Sequence, residues 1–342
     1  MICILLTAGV IILVTKIRRQ LHKPQHLFNA TEAQYVLDHL CDNYREGLLT
    51  GDLCTRLCNP TYSNYSILDF HNKNKIVITV LFGGQVIVLK AQLPRFLDFD
   101  QFHSLERRSS YAETGISDAS YAEIVRQFIN ARTGLGWEPH FVHHLISLLY
   151  PRYKRNDELD AADRASLWSL IQQDEYVSYT VMATSRLFPP LMGSCGHFYG
   201  VKHIVPFAMD SYFYGPLRSR VLFHLMGTLK LLYNFLNEPL HWCDVRFENF
   251  GLDSDAPKRF QIIDADFLYT ETRLQNIFRT TACQSDSDCH FYDCHSRCDR
   301  NTSRCEATRK NDNVEVCDSL VCFKYAIMSN AYRINVGYHA RY

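Results

Sequence analysis

Asp244 and Asn249 stand five positions apart, and Asp264 follows fifteen residues after Asn249 in the apolar string QIIDADF. Two carboxylates and a carboxamide brought together can share one oxygen-loving cation. Far upstream, Lys90 sits in QVIVLKA, a strand-like string whose ammonium can meet phosphate oxygens. Cation holders, a carboxylate able to accept a hydroxyl proton and a phosphate-directed lysine are the equipment of a phosphoryl-transfer site. Taken singly, Asp-x4-Asn is equally an ordinary turn capped by its own side chains, and Asp264 a strand-end turn. Their order along the chain carries the weight.

Each of these side chains needs an element to hold it. From Ser66 the pattern reads as strands: ILDF, IVITVLF from Ile76, the turn Gly83-Gly84 and QVIVLKA from Gln85 form a meander with a tight hairpin. Helical periodicity runs through YAEIVRQFI from Tyr121, FVHHLISLLY from Phe141, and as one long helix through ASLWSLIQQDEYVSYTVM from Ala165. Short strands follow from Leu191 to Val205, and a long apolar-faced helix from Arg218 to Leu236, just beyond Pro216, delivers the chain to HWCDVRFENFG. Hairpin with VLK, helix with Glu, strand pair, linker, long helix, Asp-x4-Asn, hydrophobic strand and Asp together predict a protein-kinase-like fold. In that arrangement Asp244 accepts the hydroxyl proton, Asn249 and Asp264 hold Mg²⁺ or Mn²⁺, and Lys90 contacts the α- and β-phosphates of ATP while paired with a helix Glu. Glu175, directly before the LMGSCGHFY strands, is preferred as that Glu; Glu123 is the alternative. A solvated helix face is the plain reading for both.

The 342 residues carry 36 Lys+Arg against 36 Asp+Glu and are 47% hydrophobic, which excludes disorder for most of the chain. Zero net charge and no basic run beyond residue 20 exclude the usual footprint of nucleic-acid binding. Thirteen Cys are present, and setting aside Cys3 in the apolar N-terminal stretch leaves Cys41, Cys54, Cys58, Cys195, Cys243, Cys283, Cys289, Cys294, Cys298, Cys305, Cys317 and Cys322. An even dozen suits disulfides. The run from Cys283 to Cys322 has no Cys-x2-Cys pair, so disulfides account for it better than structural zinc, although His290 and His295 lie nearby. Seven Cys in that run is an odd number, so at least one must pair outside, with Cys195, Cys243, Cys41, Cys54 or Cys58 as partners. The sequons at Asn29, Asn64 and Asn301 agree with an oxidising compartment and are expected to carry glycan. Residues 1–15 are uncharged and mostly apolar, reading as a signal-peptide core or a short membrane anchor, with a buried N-terminal strand or helix as the alternative. Lys16, Arg18 and Arg19 on its C-terminal flank would by themselves keep the rest of the chain in the cytosol. Upstream charges beyond the N-terminus would reverse that preference.

LFPPLMGSCGHFY (Leu187 to Tyr199), HWCDVRFENFG, IIDADF and CQSDSDCHFYDCHSRCDRNTSRC together resemble the divergent protein kinase domain 1 family, the family-with-sequence-similarity-69 group of Cys-rich kinase-like proteins of the endoplasmic reticulum (ER). The resemblance runs from about Cys41 to Cys322, and the Cys-rich string is its most specific part. It implies a kinase-like domain in the ER lumen, an N-terminal signal anchor and an EF-hand-like insertion ahead of the Glu-bearing helix. Aligning LDAADRASLWSL with the family's loop exit puts EF-hand positions 1, 3, 5, 6 and 12 on Arg152, Lys154, Asn156, Asp157 and Asp163. Calcium requires carboxylates at 1, 3 and 12 and Gly at 6, so no calcium is expected.

Other departures bear on catalysis. The turn His71-Asn72-Lys73-Asn74-Lys75 has no Gly to bring backbone close to phosphates. Trp242 and Cys243 stand where His-Arg usually precedes the catalytic Asp, and Asp264-Ala265-Asp266 stands for Asp-Phe-Gly. No Ala-Pro-Glu follows.

The expected fold is therefore α+β and two-lobed, protein-kinase-like, with a degenerate EF-hand-like insertion and a shortened, disulfide-rich C-lobe. Residues 1–19 form the anchor or signal peptide, and 20–62 a Cys-containing juxtamembrane segment. The N-lobe spans 63–205, including the helix-loop-helix of 140–175. The C-lobe spans 206–342, with the catalytic loop at 241–251 and the Cys-rich segment at 283–322. Two functions fit: an ER-luminal, single-pass membrane kinase passing phosphate from ATP to a luminal protein, or a pseudokinase or scaffold module without catalysis.

Overall fold

The computed structural model describes residues 29–59, 65–102, 116–153, 158–207, 215–252 and 260–311. The expected anchor at 1–19, Asn64, Cys317 and Cys322 lie outside these residues. Helix α1 (Ala30–Arg45) begins at Asn29, whose side chain accepts the Glu32 N–H. It buries Ala33, Val36, Leu37, Leu40 and Cys41 along one face. The short α2 (Cys54–Cys58) is tied back to it by the Cys41–Cys58 disulfide.

These two helices cover one face of an antiparallel sheet made of β1 (Tyr65–Asn72), β2 (Ile76–Phe82), β3 (Gln85–Ala91), β4 (Leu191–Cys195) and β5 (Phe198–Lys202) in the order β1-β2-β3-β5-β4. Alternation in β2 turns Ile76, Ile78, Val80 and Phe82 into that core. Gly83 and Gly84, both at positive φ, make the two-residue turn into β3. The Cys54–Cys195 disulfide and the Leu53 N–H to Ser194 carbonyl hydrogen bond of 2.9 Å fasten the N-terminal segment to β4. Approach there is so close that a Cβ on Gly51 would fall 2.1 Å from the Ser194 oxygen.

Helices α3 (Asp118–Thr133), α4 (Val142–Leu149), α5 (Ala161–Ile171) and α6 (Asp174–Val181) pack on the other side. The single helix expected from Ala165 is two helices, interrupted at Gln172-Gln173. Gln173 is extended and buried; its Oε1 accepts the Gln92 N–H at 2.8 Å and its Nε2 donates to the His197 carbonyl at 2.7 Å. Satisfying those two strand-end groups, of which the His197 carbonyl is buried, outweighs one more helical residue. Arg152, after α4, lies 3.1 Å from Asp163 of α5, so the two residues aligned above with EF-hand positions 1 and 12 form an ion pair with each other. Lys154, Asn156 and Asp157 lie outside the described residues.

After β6 (Val205–Pro206), helix α7 (Gly215–Tyr233) carries Pro216 in its first turn, where no donor is lost. Then come β7 (Leu240–Trp242), β8 (Phe250–Leu252), β9 (Phe260–Ile262) and β10 (Leu268–Thr270), which form the ladders β10-β7 and β6-β8-β9. Helix α8 (Glu271–Thr280), capped by Thr270, leads to a small sheet of β11 (His290–Phe291), β12 (Cys294–Asp299) and β13 (Arg304–Asn311). Disulfides Cys283–Cys298 and Cys289–Cys305 staple that sheet, and Cys243–Cys294 joins it to the segment after β7. Cys243 is thus a partner outside the Cys-rich run, as the odd count required. The sulfurs of Cys283, Cys289 and Cys298 cluster within 4.8 Å, but each is already in an S–S bond. Among the described residues no helix is long and apolar enough to cross a membrane.

Candidate functional site

The meander places Lys90 on β3 opposite Tyr199 of β5, with its side chain turned toward α6. Its Nζ donates to Glu175 Oε1 at 2.7 Å and to the Ile263 carbonyl at 2.7 Å, and lies over the Tyr179 ring. Both members of the pair are buried, with 7% and 3% of their side chains exposed. Glu175 also accepts from the Tyr179 hydroxyl at 2.8 Å, the Tyr199 hydroxyl at 2.7 Å and the Ala265 N–H at 3.2 Å. Burial pushes its pKa up, but Lys75 and Lys90 overcome this and hold the carboxyl well below the usual range. Glu123, the alternative, is on α3, bonded to Arg126 and Gln127.

Lys90's bond to the Ile263 carbonyl puts its ammonium one residue from Asp264. On the other side the Ile263 N–H donates to the Asn249 carbonyl at 2.9 Å, so Asn249 and Asp264 are brought to one place by backbone pairing. Asn249 donates through Nδ2 to the Asp244 carbonyl at 3.0 Å, closing the Asp-x4-Asn loop on itself and turning its Oδ1 away from that bond. Asp244 is 20% exposed, and its carboxylate lies 2.7 Å from Arg246 Nε.

The loop bearing Asp244 is anchored from outside. Cys243 is disulfide-bonded to Cys294, the Asp293 N–H donates to the Cys243 carbonyl at 2.8 Å, and the Val245 N–H donates to the Asp293 carboxylate at 2.8 Å. Asp293 was not visible as a site residue because the contact joins positions 48 apart. Arg246 was equally missed, although its place two residues after Asp244 could have drawn notice. Ala265 is fully buried where Asp-Phe-Gly has Phe. The neighbouring aromatic, Phe267, instead takes a positive φ and packs on Phe291 and Tyr292 of the Cys-rich segment.

Sequence reading gave Lys75 no role except as part of a Gly-less turn. Of that turn, His71 and Asn72 belong to β1 and only residues 73–75 form the bend. Lys75 reaches from it into the site, with Nζ 2.9 Å from Glu175, 2.9 Å from Asp264 and 3.0 Å from Asp266. Burial alone would lower its pKa, but the three carboxylates raise it above the ordinary lysine value. Burial and the nearby Glu175 push Asp266 up to about 6.

A buried Lys–Glu pair, a carboxylate at a strand end beside it and an Asp-x4-Asn loop define a kinase-domain-like protein. Two family models match the chain. One, described as the protein-kinase domain of FAM69, matches residues 167–335, and the other, described as the N-terminal cysteine-rich ER part of FAM69, matches residues 21–148. The chain belongs to the FAM69 family, with a kinase-like C-terminal domain and a Cys-rich, ER-associated N-terminal domain.

Such a domain implies a nucleotide with a divalent metal. The oxygen donors Asp244, Asn249, Asp264 and Asp266 have the chemistry that Mg²⁺ or Mn²⁺ takes, and Lys90 and Arg246 supply cations for phosphate oxygens. Among the described residues the carboxylates whose oxygens lie within 4.8 Å of one another, close enough to share a cation, are Glu175, Asp264 and Asp266, and Lys75 is set among them.

Proposed function

We propose that this protein is an ER-luminal kinase that transfers the γ-phosphoryl group of ATP to a hydroxyl of a luminal protein, tethered to the membrane by residues 1–19. The observation that supports it best is the buried 2.7 Å Lys90–Glu175 pair with Lys90 also bonded to the residue before Asp264. ATP supplies the phosphoryl group: the acceptor oxygen forms the new P–O bond as the bond to the ADP oxygen breaks. Asp244 takes the acceptor's proton, Asn249 and Asp264 hold the metal, Lys90 orients phosphate oxygens and Arg246 offsets charge developing beside Asp244. The Asp163 region acts as a calcium-free helix-loop-helix that supports α6. A second reading, a nucleotide-binding or scaffold module without catalysis, draws on the Gly-less bend at 73–75 and on Lys75 standing among the carboxylates.

Melting of the purified chain with millimolar ATP, with and without Mg²⁺ or Mn²⁺, tests nucleotide binding, because a ligand of the native state raises Tm. A shift that Asp264→Ala and Lys90→Met reduce is expected. No shift with either metal would sink the kinase reading and leave a scaffold module that binds no nucleotide in its place. Asp244→Ala should keep the shift and lose phosphoryl transfer, since a proton acceptor acts in the chemical step; a wild-type shift without any transfer selects the nucleotide-binding module without catalysis. Endoglycosidase-sensitive mobility that Asn301→Gln or Asn29→Gln reduces is expected for a luminal domain, and its absence together with free thiols would place the chain elsewhere.

A further inference from the structure

The strongest unassigned feature is Lys75. Its ammonium lies 2.9, 2.9 and 3.0 Å from carboxylate oxygens of Glu175, Asp264 and Asp266. These carboxylates come from α6 and from the segment after β9, and each offers an oxygen within 4.8 Å of the others, a grouping able to hold a metal ion. Only 16% of the Lys75 side chain is exposed, so it is packed into the site and not spread over its mouth. The charged groups facing it are those three carboxylates and Lys90, which shares Glu175.

We propose that Lys75 is the resident cation of the Asp264 carboxylate cluster, so that a divalent metal binds Asp264 only when Lys75 is withdrawn. The ammonium takes the lone pairs a metal needs and adds repulsion against any dication brought among the same oxygens. Because Lys75 ends the bend between β1 and β2, withdrawal requires movement of that bend and its side chain and leaves Lys90 on β3 in place. An incoming triphosphate offers Lys75 alternative oxygens, which couples arrival of nucleotide to release of the carboxylates. That consequence rests on the nucleotide reading above; the exclusion of metal by Lys75 does not.

The experiment is a Mn²⁺ titration of the nucleotide-free full chain, followed by electron paramagnetic resonance of free Mn²⁺, on wild type, Lys75→Met and Lys75→Met/Asp264→Asn. Removing the ammonium should tighten Mn²⁺ binding about tenfold or more, and the double variant should lose that gain. Lys75→Gln, which keeps a polar side chain, should show the same gain. Folded single variants that bind Mn²⁺ no better than wild type would overturn the proposal, as would a gain that survives Asp264→Asn. If neither variant folds, amine acylation of wild type decides: Lys75 should label faster as Mn²⁺ is raised, and an unchanged rate overturns the idea. Since no nucleotide is present, a failure of ATP to shift Tm leaves this result standing, and a failure here leaves the ATP result standing.

Discussion

Cys243, the residue immediately before Asp244, is covalently joined to Cys294 at the start of a strand in the Cys-rich sheet. The loop that carries the proposed proton acceptor is therefore fixed by a bond in place of an Arg that docks on a phosphorylated segment. Asp293 reinforces the bond by accepting the Val245 N–H.

The bridge closes a separation of 51 residues, for which loop-closure entropy gives about 4 kcal/mol. Cys243→Ser, Cys294→Ser and the double variant should each lose stability on that order, with the double no worse than either single. Asp293→Ala should cost less, about 1 kcal/mol, because one part-buried backbone donor loses its partner. Denaturant unfolding of the four variants checks this, and additive single losses would show that the two cysteines act apart.

Much of this arrangement was legible because it is written in local pattern. Alternation around Lys90 gave its strand, and the order of elements favoured Glu175 over Glu123. What was not legible depends on partners far along the chain. Lys75 meets Glu175 and Asp264 across 100 and 189 positions, and Cys54 meets Cys195 across 141. The interruption at Gln173 was hidden for the same reason. Helical periodicity continues through it, and only its bonds to Gln92 and His197 end the helix.

Lys90→Met leaves the fully buried Glu175 with Lys75 as its one remaining ammonium partner among the described residues. Loss of one partner from a buried pair costs about 3–5 kcal/mol, whereas replacing both with apolar or neutral groups costs less. Lys90→Met/Glu175→Gln should therefore be more stable than Lys90→Met alone. A double variant that melts below the single would show that Lys75 fully compensates Glu175.

The ion pair between Arg152 and Asp163 predicts the calcium response. Tyr150 donates a further hydrogen bond of 3.0 Å to the same Asp163 oxygen, so this carboxylate is already engaged by side chains. Calorimetry with Ca²⁺ up to the physiological range should give no heat of site binding, because a guanidinium stands where a ligand carboxylate is required. Micromolar binding that disappears in Asp163→Ala would contradict this.

His197 gives a pH dependence of stability. Its ring is buried among Phe96, Phe99 and Phe198 with neither nitrogen in a hydrogen bond of good geometry, the Pro94 carbonyl offering only partial compensation. Burial lowers its pKa from 6.5 to about 3. The unfolded chain then binds a proton between those values that the folded protein refuses, so the contribution of this residue to stability falls as pH drops below about 6.5 and levels off near 3. Within that window the slope approaches about 1.4 kcal/mol per pH unit. Asp266, raised to about 6, acts in the opposite direction from its ordinary value upward, because its folded form holds a proton the unfolded chain releases. The two effects are separated by comparing wild type with His197→Leu, in which Asp266 is common to both. Urea unfolding at pH 7, 5.5 and 4.5 should show the stability of His197→Leu relative to wild type rising steadily as the solution is acidified. A difference that stays constant across the three pH values would mean that His197 takes up a proton within the folded protein.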